Sequence, residues 1–565
     1  MSITVQLAHF SDCHSHFDGA PMRFSPEGES EWRTQCGGYG RILTRLTALR
    51  QQAAAAGQTC LLLHGGDTFQ GSLYFNRFKG RANADLLGLL RPDAMVIGNH
   101  EFDLGNGPLV EFLRQLDYPV LAANLDSSQE PADAPLRLHG LPQLFDASRP
   151  WHRRFIDGVP FALLGITLPQ MAAIASPDPH TRFHGIEETL SAALGEIKAE
   201  GIEHIILLSH LGLEQDKKLA TRFPELSLIV GGHTHSQLGD LAPLGLISEG
   251  SYPLMIEGVA ILHAAHSALC LGVCELEFDE RGRVCQSRGQ LEWLPWQPWP
   301  FASPPPAGLH FCEPAPESEE AVGILGRPEI EQHLARRYRP ELETMTRRIV
   351  THLAGPLHHQ RLPDAALPAG SQVAPLVASA MLAGAREQVG QVDFALHNAG
   401  GVRCSLEPGP LSEADIAGRL LPFAIPLTLY RVHGHELAEA LEGAIDNATN
   451  NGVVGNGSGS FPYTAGMRFS YQAGRPRGSR ITRLEWEASP GQWQSVEMDA
   501  IYRGVSSAYT ASGKEGYTAL ARTLTQHNQE LGITLADAFI RWARHLPELA
   551  PLPALVEYQG ASPMA

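Results

Sequence analysis

The chain has 565 residues, of which 43% are hydrophobic and 18% are charged. This much apolar material can fill several cores, so the composition excludes a disordered chain and predicts roughly two to four domains. The chain carries 43 lysines and arginines against 61 aspartates and glutamates, a formal net charge of −18. Such an anionic surface repels nucleic acid phosphates, so we expect no nucleic acid polymer as a partner.

Cysteine spacing and hydropathy bear on the compartment. The eight cysteines show no CxxC spacing, which supports neither a zinc ribbon nor a disulfide framework. No segment reaches the roughly 18 to 20 consecutive apolar residues of a membrane helix, so we expect no membrane span. The first residues, MSITVQLAHFSDCH, predict a core strand and lack a basic start before an apolar stretch. We expect a cytoplasmic protein, and a periplasmic one if an export signal has been trimmed.

Short apolar runs alternate with helix-length segments from residue 3 to about 280, and this βαβ rhythm predicts a layered α/β fold. The segment from Trp293 to Pro306 is too rich in proline for an element interior, and we expect its aromatic residues to pack onto a neighbouring domain. A second α/β-like unit begins beyond Gln372. We place the boundaries at 1–295 for the first domain, 296–346 for a Pro-rich and helical linker, 347–550 for the second domain and 551–565 for a tail.

Five apolar runs of the first domain end in polar residues able to bind a metal. These are Asp12 and His14 after VQLAHFS, Asp67 after CLLLHGG, Asn99 after AMVIG, His210 after HIILLS, and His233 with His235 after LSLIVGG. Ligands of open α/β sheets bind beyond the carboxyl ends of the strands, so these residues should converge on one site. One DxH or HxH pair is a weak signal, but five such strand ends in order are a strong one.

The motifs around these residues resemble those of the calcineurin-like metallophosphoesterases, and among them of the 5′-nucleotidases. They are SDCH (11–14), GGD (65–67), GNHEFD (98–103), SHLG (209–212) and GGHTH (231–235), followed beyond the linker by NAGGVR (398–403), LPF (421–423) and GSFPYTAGMRF (459–469). The resemblance covers most of the chain. It implies an α/β protein with a four-layer α/β/β/α metallophosphoesterase domain followed by a second α/β nucleotide-recognition domain.

The resemblance also implies two divalent metal ions. One ion would be held by Asp12, His14, Asp67 and His235, and the other by Asp67, Asn99, His210 and His233, with Asp67 bridging. Oxygen and imidazole donors together suit Mn²⁺, Zn²⁺, Fe²⁺ or Co²⁺ better than Mg²⁺ alone. Two metals about 3.5 to 4 Å apart can activate a shared water for in-line displacement at phosphorus.

The activity implied is hydrolysis of a nucleoside monophosphate to nucleoside and phosphate by a metal-bridging hydroxide. His100 and Asp103 match the catalytic dyad of the family, in which Asp103 would orient a positive His100 that stabilises developing charge or protonates the leaving oxygen. A plainer interpretation makes both residues supports for the neighbouring ligands. The expected partner is thus a small-molecule nucleotide.

The second domain should choose the substrate. By resemblance, Arg403 contacts phosphate, Asn398 the sugar or base, and Glu515 stands where relatives carry a ribose-binding Asp. Phe423 and Tyr509 match the two aromatic residues that stack on a nucleobase, each face being worth about 1 to 3 kcal/mol. Without the resemblance, either aromatic would more simply be a core residue.

The chain departs from the family pattern at VAPLVAS (373–379), where Ala374, Pro375 and Ser379 replace the expected Gly, Asn and Asp. A second phosphate-directed arginine usually precedes that helix, and Arg361 is only a remote candidate for it. These departures affect affinity or substrate range, whereas the metal motifs are intact.

Three alternatives stay open at this point. The same hydroxide would serve a 2′,3′-cyclic-nucleotide phosphodiesterase with 3′-nucleotidase activity, or a UDP-sugar hydrolase. A nucleotide- or metal-binding protein without turnover is the third, and the intact His100 and Asp103 argue against it.

Overall fold

The structure is a computed structural model that describes residues 2–138, 140–311, 328–455 and 457–560, without the side chains of 138, 328 and 523–527. The chain divides into two compact units, Met1–Pro340 and Glu341–Ala565. Parts of the expected linker, 312–327, and of the expected tail, 561–565, lie outside the described residues. The domain boundaries given above therefore stay a prediction.

The first unit is built on strands Ile3–Phe10 (β1), Ala20–Phe24 (β2), Trp32–Cys36 (β3), Cys60–His64 (β4), Ala94–Val96 (β5), Val120–Leu121 (β6), Leu125–Asp126 (β7), Leu144–Phe145 (β8), Trp151–Ile156 (β9), Val159–Ile166 (β10), Arg182–Phe183 (β11), His204–Ser209 (β12), Leu228–Gly231 (β13), Leu254–Ile256 (β14), Val259–Leu262 (β15), Cys270–Phe278 (β16) and Val284–Trp293 (β17). Its helices are Tyr39–Ala55 (α1), Leu73–Phe78 (α2), Gly80–Leu90 (α3), Asn106–Leu113 (α4), Pro135–Leu138 (α5), Met171–Ile174 (α6), Ile186–Ala199 (α7), Leu213–Arg222 (α8) and Pro328–Arg337 (α9), and Arg339–Arg347 (α10) runs across the boundary between the units.

Two mixed sheets form the centre of the first unit. One has the strand order β17-β16-β1-β4-β5-β6-β8 and the other β14-β15-β13-β12-β10-β9. Leu7 and Leu63 of the first sheet share one buried core with Leu163 and Leu208 of the second. Strands buried on both faces read as continuous apolar runs rather than alternating ones, which explains VQLAHF and HIILLS.

Helices cover the outer faces of this double sheet. Helix α1 packs on β1 and β4, where Phe10 meets Tyr39 edge to face with ring centroids 5.9 Å apart. Helix α8 packs on β13 and β15 of the other sheet. The four-layer α/β/β/α arrangement expected from the sequence is therefore confirmed.

The proline-rich segment after β17 packs onto the first unit, as expected for its aromatic residues. Trp296 donates its indole N–H to the carbonyl oxygen of Gly37 at 3.0 Å and lies under the guanidinium of Arg41, 4.3 Å from the ring centroid. Trp299 contacts Trp32 edge to face at 5.5 Å. These aromatic residues therefore fill a satellite core of the first unit.

The second unit contains strands Ile349–Leu353 (β18), Phe394–Asn398 (β19), Gly409–Ser412 (β20), Pro426–His433 (β21), Pro462–Ala465 (β22), Met467–Gln472 (β23), Ile481–Ser489 (β24), Gln492–Ser495 (β25), Ile501–Ser507 (β26), Gln529–Thr534 (β27) and Val556–Gln559 (β28). Its helices are Ala374–Val389 (α11), Glu413–Asp415 (α12), Gly434–Thr449 (α13), Ala508–Ala511 (α14), Thr518–His527 (α15) and Leu535–Ala543 (α16). The sheet order is β22-β19-β26-β21-β27, with β25-β24-β23-β28 as a second sheet and β18-β20 as a ribbon.

Strand β28 lies in the segment that the sequence analysis assigned to a tail. It runs parallel to β23, with Phe469 opposite Val556, and Tyr558 stacks on Tyr471 with ring centroids 5.7 Å apart. Nearby prolines hid this strand, because Pro551 and Pro553 read as breakers of regular structure. Within the described residues, no helix combines the length and the apolar composition that crossing a bilayer requires.

Candidate active site

The predicted metal ligands follow the carboxyl ends of five strands in the two central sheets. Asp12, Asp67 and Asn99 come after β1, β4 and β5 of one sheet, and His210 and His233 after β12 and β13 of the other. These strands are parallel within each sheet, so their ends meet at one edge of the double sheet. The expected convergence on one region is what the structure shows.

The ligand atoms form overlapping groups, each with atoms within 4.8 Å of one another. These groups are Asp12, His14 and His235; Asp67, His210 and His233; and His14, Asp67 and His100. Asn99 joins through its amide oxygen, 3.0 Å from Nδ1 of His233. Asp67 shares one group with His14 and another with His210 and His233, so it lies between histidines that were predicted to bind different ions.

Hydrogen bonds to the backbone select the tautomers of two histidines. Nδ1 of His210 lies 2.7 Å from the carbonyl oxygen of Gly65, and Nδ1 of His14 lies 3.2 Å from that of Phe69. A carbonyl oxygen only accepts, so each Nδ1 carries a proton and Nε2 is the nitrogen that can face a metal ion.

Among the predicted ligands, two buried side-chain atoms lack a hydrogen-bond partner: Oδ2 of Asp12 and Nε2 of His210. Nε2 of His210 is 3.1 Å from Oδ2 of Asp67, and Nε2 of His14 is 3.1 Å from Nε2 of His235. Two acceptor nitrogens at that separation are satisfied by a shared cation. The donor set therefore fits divalent metal ions.

The pKa values of the site agree with this interpretation. Burial lowers the pKa of His233 to about 4 and of His235 to about 3, and it takes the pKa of His14 well below its ordinary value. These imidazoles are neutral near pH 7 and free to bind a metal. For His210, burial lowers the pKa, but the Asp67 carboxylate outweighs burial and raises the pKa to about 9. Without a metal ion this ring therefore holds a second proton, and a bound metal cation would take the place of that proton.

His100 and Asp103 form the pair that the sequence predicted. Nδ1 of His100 lies 2.7 Å from Oδ2 of Asp103, which also accepts a hydrogen bond from Nε2 of Gln70 at 3.0 Å. Burial lowers the pKa of His100, but Asp103 and Asp67 outweigh it and raise the pKa to about 10. The imidazolium next to the metal ligands is therefore ready to neutralise negative charge or give up a proton.

Five of the seven predicted ligands have left-handed backbones. Their φ angles are 49° for Asp12, 48° for His14, 53° for Asp67, 76° for His233 and 57° for His235. A non-glycine residue in this region costs about 1 to 3 kcal/mol and persists only where its surroundings hold it. The strand ends are thus strained to bring the side chains together.

Glu101 holds one of these strained turns and was not singled out by the sequence analysis. Its buried carboxylate accepts backbone N–H groups from four residues, namely Asp67 at 3.1 Å, Thr68 at 2.7 Å, Phe69 at 3.0 Å and Gly98 at 2.7 Å. Burial, together with the nearby Asp67 carboxylate, raises the pKa of Glu101 to about 7. The GNHEFD motif contained this residue, but the four donors become visible only once the two loops are folded.

In the second unit the structure brings the predicted polar residues into contact. Nδ2 of Asn398 lies 3.4 Å from Oε2 of Glu515, which also hydrogen-bonds with the side chain of Tyr509. The hydroxyl of Thr510 donates to Oδ1 of Asn398 at 3.1 Å. Burial raises the pKa of Glu515. These residues form a polar cluster suited to hydroxyl groups of a ligand.

Arg403 lies beside Phe423, with the guanidinium carbon 5.3 Å from the ring centroid. Burial and the charge of Arg361 lower the pKa of Arg403, and the charge of Arg361 also acts on Glu515. The hydroxyl of Tyr463 donates to the carbonyl oxygen of Arg361 at 3.0 Å. Arg361, a remote candidate in the sequence, therefore stands in electrostatic range of the predicted pocket. Stacking of a base between Phe423 and Tyr509 stays a prediction.

The VAPLVAS departure has a local structural account. Helix α11 begins at Ala374, and Oγ of Ser371 accepts the backbone N–H groups of Val373 at 3.1 Å and Ala374 at 2.9 Å. The hydroxyl of Ser379 donates to the carbonyl oxygen of Pro375, four residues earlier, at 2.9 Å. Ser379, which replaces the expected Asp, is thus satisfied within its own helix.

The fold and the site define a metallophosphoesterase. The family described as calcineurin-like phosphoesterase matches residues 5–237, and the 5′-nucleotidase C-terminal domain matches residues 359–522. A probable 5′-nucleotidase of Treponema pallidum is 32% identical over an alignment that covers 96% of this chain and 91% of that protein. The chain therefore belongs to the 5′-nucleotidase family, as the sequence motifs indicated.

Two further relatives agree with this assignment. An NAD 5′-nucleotidase of Haemophilus influenzae is 26% identical, over 97% of this chain and 91% of that protein. The crystal structure of a 5′-nucleotidase precursor from Thermus thermophilus superposes with a TM-score of 0.70 at 28% identity, covering 99% of this chain and 100% of that chain. The family is one of metallophosphoesterase hydrolases, which implies divalent metal ions.

Replacing Glu101 by Ala leaves several buried N–H groups without an acceptor, each costing about 1–3 kcal/mol. We expect a clear fall in the thermal unfolding midpoint, measured by calorimetry. Glu101→Gln keeps one carbonyl acceptor and should lose less. Glu111→Ala, at an exposed position, serves as the matched control and should change stability by no more than about 0.5 kcal/mol. An unaltered midpoint for Glu101→Ala would contradict the role of this carboxylate.

Proposed function

We propose that this protein hydrolyses nucleoside monophosphates to nucleoside and inorganic phosphate with two divalent metal ions. The observation that carries the proposal is the position of Asp67, which groups with His14 on one side and with His210 and His233 on the other. Membership of the 5′-nucleotidase family supports the substrate class.

In this proposal one ion is held by Asp12, His14, Asp67 and His235, and the other by Asp67, Asn99, His210 and His233. The mixture of carboxylate, amide and imidazole donors favours Mn²⁺, Zn²⁺, Fe²⁺ or Co²⁺. Two such ions supply polarisation of the phosphoryl oxygens and activation of a water molecule.

The protein itself supplies a proton beside the metal ligands. Asp103 holds Nδ1 of His100, so the opposite nitrogen, Nε2, is the one that would face the substrate. Asp103 and Asp67 outweigh the effect of burial and raise the pKa of His100, which favours its positive form. It would stabilise the charge that develops on the phosphoryl group or the leaving oxygen, and donate a proton to that oxygen.

The second unit would recognise the nucleotide. Arg403, with Arg361 nearby, supplies positive charge for phosphate oxygens, and Asn398 with Glu515 supplies acceptors and donors for ribose hydroxyls. Phe423 and Tyr509 would stack on the base. No step of this recognition depends on the identity of the metal.

Asp67→Ala removes the residue shared by two ligand groups, so we expect loss of both ions and of all hydrolysis. The measurement combines metal analysis with a phosphate-release panel of nucleoside mono-, di- and triphosphates, 2′,3′-cyclic nucleotides and UDP-sugars in the presence of Mn²⁺. Asp240→Ala, an exposed carboxylate of the same unit, is the control and should retain both.

Monophosphates should be the best substrates of the wild-type protein in this panel. Cyclic nucleotides or UDP-sugars turned over faster would establish the alternative reactions instead. Phosphatase activity at normal metal content in Asp67→Ala would refute the bridging assignment.

His100→Ala should keep its metals, because the backbone N–H of residue 100, which donates to Oδ1 of Asp67 at 2.9 Å, is unaffected by the side chain. Loss of the positive imidazole should lower kcat by roughly 10² to 10⁴. Steady-state kinetics with parallel metal analysis checks this, with the exposed His180→Ala as control. A rate equal to that of the wild type would exclude His100 from the chemistry.

Phe423→Ala should raise KM for nucleoside monophosphates, because a stacked base face is worth about 1 to 3 kcal/mol. Hydrolysis of a small aryl phosphate, which has no base to stack, should change little. Phe155→Ala, at a position 63% exposed, is the control. Equal losses on the two substrates would show that Phe423 stabilises the protein rather than binding the base.

A further inference from the structure

Behind the His210 and His233 strand ends lies a buried hydrogen-bonded bridge. Asp216 of helix α8 accepts the hydroxyl of Ser209 on Oδ1, and its Oδ2 lies 2.8 Å from Nε2 of His263. All three side chains are at most 1% exposed. None of the three belongs to the predicted metal ligands, so the bridge needs another explanation.

The bridge joins two strands that are not neighbours. Ser209 is the last residue of β12, and His263 follows the last residue of β15, while β13 lies between these strands. The crossing point is Gly231, the last residue of β13. A Cβ atom there would lie 2.1 Å from Nε2 of His263 and 2.3 Å from Oδ2 of Asp216. Only glycine leaves room for the bridge to cross.

Two of the three tied strand ends, those of β12 and β13, carry predicted metal ligands. His210 directly follows Ser209, and His233 follows Gly231 by two residues. The backbone N–H of Gly232 also donates to the carbonyl oxygen of Ser209 at 3.0 Å, so the ends of β12 and β13 are joined in two ways. The spacing of His210 and His233 depends directly on these contacts, because ring positions one or two residues away follow the backbone.

We propose that Asp216 is a positioning residue for the metal site. Through Ser209 and His263 it fixes the relative placement of the β12, β13 and β15 ends, and with it the separation of the His210 and His233 rings that are proposed to bind one ion. This inference rests on the proposed metal assignment. Residues that orient metal ligands typically contribute a factor of 10 to 100 in metal affinity or activity.

A merely stabilising role is the competing explanation, and it predicts different results. A buried polar pair is no better for stability than apolar residues of the same shape, but losing one partner of it is costly. A stabilising bridge would therefore change the unfolding midpoint and leave the metal affinity of the folded protein alone. A positioning bridge changes the affinity of the folded protein.

The test titrates metal-free protein with Mn²⁺ and follows binding by calorimetry, with thermal unfolding and steady-state kinetics alongside. The variants are Asp216→Ala, Asp216→Asn and His263→Gln. His204→Gln is the matched control, since His204 is a buried histidine at the opposite end of β12, hydrogen-bonded to the carbonyl oxygen of Asp279 at 3.0 Å.

For Asp216→Ala we expect one of two Mn²⁺ sites to weaken about 10- to 100-fold, the other to stay within a factor of three, and kcat to fall with KM unchanged. Asp216→Asn, which keeps an acceptor for Ser209, should fall between Ala and the wild type. Excess Mn²⁺ should restore part of the rate. The His204→Gln control should bind Mn²⁺ as the wild type does at any unfolding midpoint.

Wild-type Mn²⁺ affinities in all folded Asp216 and His263 variants would overturn the positioning role, whatever their stability. If Asp216→Ala does not fold, Asp216→Asn and His263→Gln decide the question by the same criterion. A wild-type protein that binds none of Mn²⁺, Zn²⁺, Fe²⁺ and Co²⁺ would instead refute the proposed function, so the two failures are distinguishable.

Discussion

The structure depends on one electrostatic constraint: many potential metal ligands, carboxylates and imidazoles, lie buried together at one edge of the double sheet. Asp67 groups with four histidines, His14, His100, His210 and His233, and its carboxylate raises the pKa of His100 and His210 against the effect of burial. Burial raises the pKa of Asp12 to about 6, so the protein holds this second carboxylate in a poorly solvated place. Divalent cations satisfy both carboxylates and the neutral imidazoles at once, and the site therefore has a built-in demand for metal.

The side chains that would bind the metal ions are positioned by closely packed backbone at the strand ends. Glycines at the strand ends allow close approach; a Cβ at Gly98 would stand 2.2 Å from Oδ1 of Asp67. Glu101 accepts the backbone N–H of Asp67 and so holds its left-handed turn, and Asp216 ties the ends of β12 and β15. Each carboxylate accepts hydrogen bonds from backbone N–H groups or from side chains at strand ends. These hydrogen bonds offset the backbone strain at the ligands within the same buried region.

The sequence predicted the parts of this arrangement that are local. An apolar strand followed by a polar residue can be recognised in a segment of about ten residues. Asp12, Asp67 and His233 were predicted as metal ligands in this way. Long-range partners were missed, because nothing adjacent to Asp216 marks its bond to His263, which is 47 residues away. Strand β28 was missed for two reasons: Pro551 and Pro553 precede it, and its partner β23 lies far along the chain.

The second unit differs from the first, because its candidate binding residues come from several element ends and loops. Its candidate ligand groups lie near the ends of β19, β26 and α14, while Arg361 comes from the segment between β18 and α11, held at its backbone by Tyr463. Loop positions tolerate substitution better than sheet ends do. Arg361 and the predicted phosphate contact Arg403 both lie outside helices and strands, whereas Ser379, which stands where an Asp is expected, lies inside helix α11. Differences in nucleotide preference within the family should accordingly reside in the second unit, and differences in turnover at the sheet edge of the first.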